Sequence, residues 1–156
     1  HRPRQHADHA EHPAGAEGAD RLVECAGAAD FHDVIEAFAA VAHDHQWIQV
    51  DTAGAATESP FGSTIAHGLL TLSLITGWYH QLFEFPGRKL ALNYGFDKVR
   101  FTSAVPSGSA LVGSFQLARV DELRDNEARC AWSVDVRVQG AERPAMVAEW
   151  LMQLRY

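Results

Sequence analysis

The sequence predicts an α+β domain in which consecutive antiparallel strands pack around one long, buried helix. Three patterns predict it. Residues 65–83, IAHGLLTLSLITGWYHQLF, carry Leu69, Leu70, Leu72, Leu74, Ile75, Trp78, Tyr79 and Leu82 on nearly every side of a helix. A helix that is apolar all round has to be covered by other elements. From Lys89 to the C-terminus, runs of alternating apolar and polar residues are separated by turn signals, the period of half-buried strands. The stretch from Phe31 to Asp44 is amphipathic at helical spacing through Phe31, Val34, Ile35, Phe38 and Val41.

The chain of 156 residues is long enough for one domain with its own core. Apolar residues make up 47% of it, and four Trp and eight Phe supply bulk. Thirteen basic against twenty acidic side chains give a net charge of -7, which argues against nucleic acid as a partner. The longest apolar run, Leu69 to Tyr79, is too short and too interrupted to span a bilayer, so no membrane partner is expected. Cys25 and Cys130 stand far apart with no CxxC pair, which fits a reducing cytoplasm and offers no zinc-site spacing. No ligand cluster or Gly-rich nucleotide loop appears, so no metal or redox cofactor is expected.

Residues 1–20 are rich in His, Ala and Gly without apolar periodicity and read as a mobile tail, leaving residues 21–156 as the domain. The four histidines of the tail, His1, His6, His9 and His12, suggest weak metal binding at most. RLVECAGA, residues 21–28, reads as a first strand. Asp30 is placed as the N-cap of the first helix, with Asp33 in its first turn. Residues 46–64 contain Gly54, Ser59, Pro60 and Gly62 and read mostly as loop, with at most one short turn of helix. After the central helix come strands over residues 89–101, 110–123, 127–139 and 146–156. The turns between them are Pro106-Ser107-Gly108, Arg124-Asp125-Asn126 and residues 140–144. Short turns between consecutive strands predict a meander. An open sheet edge predicts pairing with a second copy, hence a homodimer.

Three stretches carry a likeness. AHDHQWIQVD spans residues 42–51, SPFGSTIAHGLLTLSL spans 59–74 and LNYGFDKVRFTSAVPSGS spans 92–109. Together they resemble the MaoC-like dehydratase family, especially its NodN-like branch. The resemblance implies a single hot-dog fold, an antiparallel sheet wrapped around a long central helix. It also implies an (R)-specific enoyl-thioester hydratase type of chemistry. Members add water across the double bond of a trans-2-enoyl thioester, or run the reverse, on coenzyme A or an acyl carrier protein. In the family an Asp, and a His five residues later, hold the water. The Asp position here is Asp44, and five residues on stands Gln49, where the pattern reads IHVD rather than IQVD.

A glutamine amide orients a water or accepts a hydrogen bond, but it does not exchange protons near neutral pH. Three readings of Gln49 stay open. It is an engineered substitution that disables the enzyme, or a natural variant, or the mark of a thioester-binding module without chemistry. Some relatives of this branch hydrolyse thioesters or add an amine to the double bond, so a thioesterase and an amine-adding lyase stand beside the hydratase. The resemblance also makes the Gly68 N–H, at the start of the central helix, the group that polarises the thioester carbonyl. Ala66, His67, Phe61 and Gly62 are expected around the substrate. His43 and His45 are read as having a structural or surface role rather than a catalytic one. Arg88, Lys89, Lys98 and Arg100 are read either as contacts for the carrier's phosphates or as ordinary solvated charges, the second being preferred. Trp78 and Tyr79 are core residues first and candidates for the end of an acyl tunnel second.

Overall fold

The computed structural model describes residues 21–25 and 31–156. The tail, the Asp30 cap and the side chains before His32 lie outside the described residues. Strand β1 spans Arg21–Cys25 and helix α1 spans Phe31–Ala42. Two short helices follow, α2 over Trp47–Val50 and α3 over Thr52–Glu58. The long helix α4 covers Gly68–Leu82. Strands β2 (Leu90–Phe101), β3 (Leu111–Arg124), β4 (Glu127–Val138) and β5 (Met146–Arg155) complete the chain.

The five strands form one antiparallel sheet in the order β1-β3-β4-β5-β2. One inner row comes from the alternation of β4 and β5. Trp132, Val134 and Val136 on β4 and Met146, Ala148, Trp150, Met152 and Leu154 on β5 are buried. These residues share a core with Leu70, Ile75, Trp78 and Tyr79 of α4. Trp132 and Trp150 face each other across β4 and β5, and both meet the Tyr79 ring edge-on, at 5.3 and 5.1 Å. Trp78 lies so close to β3 that a Cβ on Gly113 would sit 2.7 Å from its ring, so the bare glycine backbone sets how closely helix and sheet approach. This is a single hot-dog fold of the α+β class.

Four sequence expectations change. The strands are not one continuous meander: only β3, β4 and β5 are, and β2 lies outside β5. The link over residues 102–110 carries the chain from β2 at one side of the sheet to β3, which lies beside β1 at the other, and on the way it pairs with the segment ahead of α4. The segment read as loop forms two helices, because Asp51 caps α3 by accepting a 2.9 Å hydrogen bond from the Gly54 N–H and alanines fill the turns. Helix α4 is not covered on every side: Leu69 is 62% exposed, and Ser73, Gly77 and His80 continue the open stripe. On α1 the buried face is Ile35 and Ala39 with Phe38 against it, while Val34 and Val41 face solvent. Among the described residues no helix is long and apolar enough to cross a membrane.

Candidate active site

The site is assembled from four pieces of chain that local hydrogen bonding forces together. Helix α1 stops because His43 adopts a left-handed conformation, with φ of 55°, and the Asp44 N–H reaches back to the Ala39 carbonyl at 3.1 Å. That pairing is a Schellman C-cap, and it fixes where Asp44 emerges. Helix α2 is pinned by the Ile65 N–H, which donates to the Ile48 carbonyl at 3.1 Å. The segment ahead of α4 is held to the crossing link from β2: Ala66 donates to Val105 and Ser107 donates to Thr64, each at 2.8 Å. An Ile65–Pro106 bridge completes the seam.

These bonds enclose a cleft of about 320 Å³ lined by Gln49, Ala66, Gly68 and Thr71 on one side. Phe101 and residues 102–105, with Ala145, line the other. Gln49 is 9% exposed, and its Oε1 is buried without a hydrogen-bond partner among the described residues. Gly68 opens α4, and among the described residues nothing accepts a hydrogen bond from its N–H. Helix N-termini leave such donors open, and the helix dipole favours negative charge there. The cleft wall therefore brings the Gln49 side chain and the open N-terminus of α4 together.

Of the residues picked out in the sequence, Gln49, Ala66 and Gly68 share the cleft. His67 does not line it. Its ring is buried behind the tip of α4, packed on Phe38 with 5.1 Å between ring centroids. His67 Nε2 donates to the Asp44 main-chain oxygen at 2.9 Å, and the Asp44 carboxylate lies 3.9 Å away, beyond hydrogen-bond range. Asp44 thus stands beside the tip of α4, with its carboxylate 57% exposed rather than enclosed in the cleft. Phe61 and Gly62, expected at the edge of an acyl channel, sit outside the cleft in an exposed turn, where the Phe61 N–H bonds Ser59 Oγ and Gly62 has φ of 67°. Trp78 and Tyr79 belong to the core and do not line the cleft. Lys89, Lys98 and Arg100 are exposed, and the Arg88 guanidinium lies over the Phe85 ring. Among the described residues no group of three or more His, Cys, Asp or Glu is placed to hold a metal ion.

Sequence reasoning missed Phe101 and Thr71. The Phe101 ring rests directly over Gly68: a Cβ there would lie 2.8 Å from it. The glycine is therefore required by a neighbouring ring. The DKVRF stretch marks Phe101 as a strand residue, but only the strand order shows that β2 ends against the tip of α4.

A family description, the MaoC-like domain, matches residues 16–138. The chain belongs to the MaoC-like family. This MaoC-like chain is 43% identical over 119 residues to the 3-hydroxyacyl-thioester dehydratase Z of Mycobacterium tuberculosis, covering 76% of this chain and 78% of that one. It is 41% identical over 119 residues to Nodulation protein N of Rhizobium meliloti, covering 76% and 74%. Among solved structures, an (R)-hydratase from A. caviae involved in PHA biosynthesis superposes with a TM-score of 0.65 at 26% identity, covering 86% of this chain and 93% of that one. The fold and family implied by the three sequence stretches are therefore those of the molecule.

Proposed function

We propose that this MaoC-like chain is a hydratase/dehydratase that adds water across the double bond of a 2-enoyl thioester and runs the reverse dehydration. The observation that carries the reading is that Gln49 and Gly68 line one cleft, the Gly68 N–H having no acceptor among the described residues. A thioester carbonyl accepts from the Gly68 N–H, and the Gln49 side chain orients a water or a 3-hydroxyl beside it. The named activities of the relatives at 43% and 26% identity support it. The acyl group arrives on coenzyme A or an acyl carrier protein.

The chemistry follows from what each group can do. Asp44 takes a proton from water as its oxygen bonds to the β-carbon. The electron pair of the double bond moves onto the thioester oxygen, where the Gly68 N–H stabilises the enolate. The protonated Asp44 then returns its proton to the α-carbon. Gln49 orients the water but carries no proton, so acid and base duty both fall on one carboxyl and turnover is slow. In this reading Gln49 stands where the family has its catalytic His.

A second copy pairs along β2. This edge strand shows Leu90, Leu92 and Tyr94 to solvent, and its last residue, Phe101, borders the cleft. Sedimentation equilibrium tests this: a mass of twice the 17.1 kDa chain is expected, and a monomer at micromolar concentration overturns it.

The activity is tested by incubating the protein with a 2-enoyl thioester, with and without glycine, and following enoyl absorbance and free thiol together. Loss of absorbance in buffer alone, without thiol, is the expected result. Loss only when glycine is present identifies an amine-adding lyase instead. Thiol release identifies a thioesterase. No reaction, even from Gln49→His, leaves a binding protein.

A further inference from the structure

We propose that His67 is a positioning residue, which clamps Asp44 against the tip of α4 so that a single residue sets the distance between the base and the Gly68 amide. The inference rests on the roles proposed above for Asp44 and Gly68. His67 is the N-cap residue of α4, so its backbone runs directly into Gly68. Its side chain makes no capping bond to its own helix and turns instead to the Asp44 main chain, 23 positions earlier. The two groups needed at opposite ends of the enoyl system are thus joined through one imidazole.

The chemistry of the contact fixes the ring. A main-chain carbonyl only accepts, so in the neutral imidazole the hydrogen is on Nε2, and Nδ1 is the bare nitrogen. Nδ1 is buried and has no partner among the described residues. The ring is 2% exposed and braced by Phe38, so it has little freedom to leave this bond. On its other side the Asp44 segment is held by the Schellman bond to Ala39. Asp44 is therefore gripped at its N–H by α1 and at its carbonyl by α4, while its carboxylate is left free at the surface to reach a substrate. His67 itself is walled off from the cleft, so it acts through Asp44 and not on the acyl group.

Two substitutions separate positioning from packing. In His67→Gln the amide nitrogen reaches where Nε2 was and keeps the donor. In His67→Leu the space is filled and the donor is lost. Both are made in the unsubstituted chain and in Gln49→His, with kcat and KM measured on a 2-enoyl thioester and folding followed by thermal melting. His67→Leu is expected to lose roughly 10²-fold in kcat, as a misplaced base does, with KM moving less than about threefold. His67→Gln is expected to stay within about fivefold of its parent. An unchanged kcat in a folded His67→Leu overturns the proposal. So does a change confined to KM, which would mean direct substrate contact, or an equal loss in both variants. Imidazole nitrogen NMR on the labelled, unsubstituted protein gives an answer that needs no variant to fold: a hydrogen on Nε2 is expected, and a ring with a bare Nε2 overturns the clamp. Absence of turnover in both the unsubstituted chain and Gln49→His instead defeats the proposed function, and the NMR result still decides whether the clamp exists.

Discussion

Replacing Gln49 by His is expected to raise kcat for hydration, and the structure limits by how much. Gln49 is buried on the cleft wall in a four-residue helix, and that helix cannot turn away because Ile48 is bonded to Ile65. An imidazole at this position therefore points into the same space as the amide. General acid–base partners contribute about 10²–10⁴-fold, or about 2.7–5.4 kcal/mol of barrier. The Asp44 carboxylate is largely exposed in the single chain, so solvent weakens its coupling to a new imidazole. This places the expected gain toward the lower end, near 10²-fold. Stability should change little, because the two side chains are similar in size and the amide oxygen leaves no hydrogen bond behind. The assay is the rate of enoyl absorbance loss at saturating thioester, before and after substitution, with melting temperatures as a control. An unchanged kcat in a folded Gln49→His variant would refute the placement of Gln49 at the proton-transfer position.

Three further outcomes follow from the geometry. Gly68→Ala drives a methyl group to 2.8 Å from the Phe101 ring. It should cost about 1–3 kcal/mol in a thermal melt and depress activity, and Phe101→Ala in the same chain should recover the stability; failure to recover it would show that the clash lies elsewhere. Tyr79 is fully buried, burial pushes its ionisation well above the usual range, and among the described residues its hydroxyl makes no hydrogen bond of good geometry, although the Trp132 indole N–H is near enough to oppose the shift. Tyr79→Phe should therefore melt no lower than the parent, since a buried polar atom without a bond costs about 1–3 kcal/mol; a clear loss of stability would show that the hydroxyl is bonded. Hydrogen bonds from Arg124 and then from Arg155 hold the Glu127 carboxyl below its usual range. A depressed carboxyl stabilises the fold above the ordinary carboxylate pKa, and that contribution disappears as pH falls through the depressed value. The melting-temperature gap between the unsubstituted chain and Glu127→Gln should therefore close on acidification, and a gap independent of pH would count against the ion pairs.

The strands were legible because a half-buried strand writes its two faces into the sequence. Trp132, Val134 and Val136 alternate with the polar Ser133 and Asp135, and all three are buried. Strand order was not legible. Whether β2 lies beside β3 or β5 depends on where the link after Phe101 runs, and that is decided by backbone bonds to residues 64–66 that no side-chain pattern encodes. The open stripe on α4 was hidden for a related reason. Leu69 looks like core in a sequence, but no described residue covers it. Val34 and Val41 misled in the same way, since Ile35 and Ala39 define the buried face of α1. Of the site, Gln49, Ala66 and Gly68 could be picked out through the family likeness. Phe101 and the His67–Asp44 bond could not, because both depend on residues far apart in the chain meeting at one helix tip.

The proposed function turns on Asp44, beside the amide-bearing tip of α4, acting as the base. The most direct measurement is the kcat of Asp44→Asn on a 2-enoyl thioester, made in the Gln49→His background so that turnover is fast enough to lose. Binding of the saturated thioester is followed in parallel. The expected result is a loss of at least about 10²-fold in kcat with binding unchanged. A folded Asp44→Asn variant that hydrates as fast as its parent would show that Asp44 is not the base.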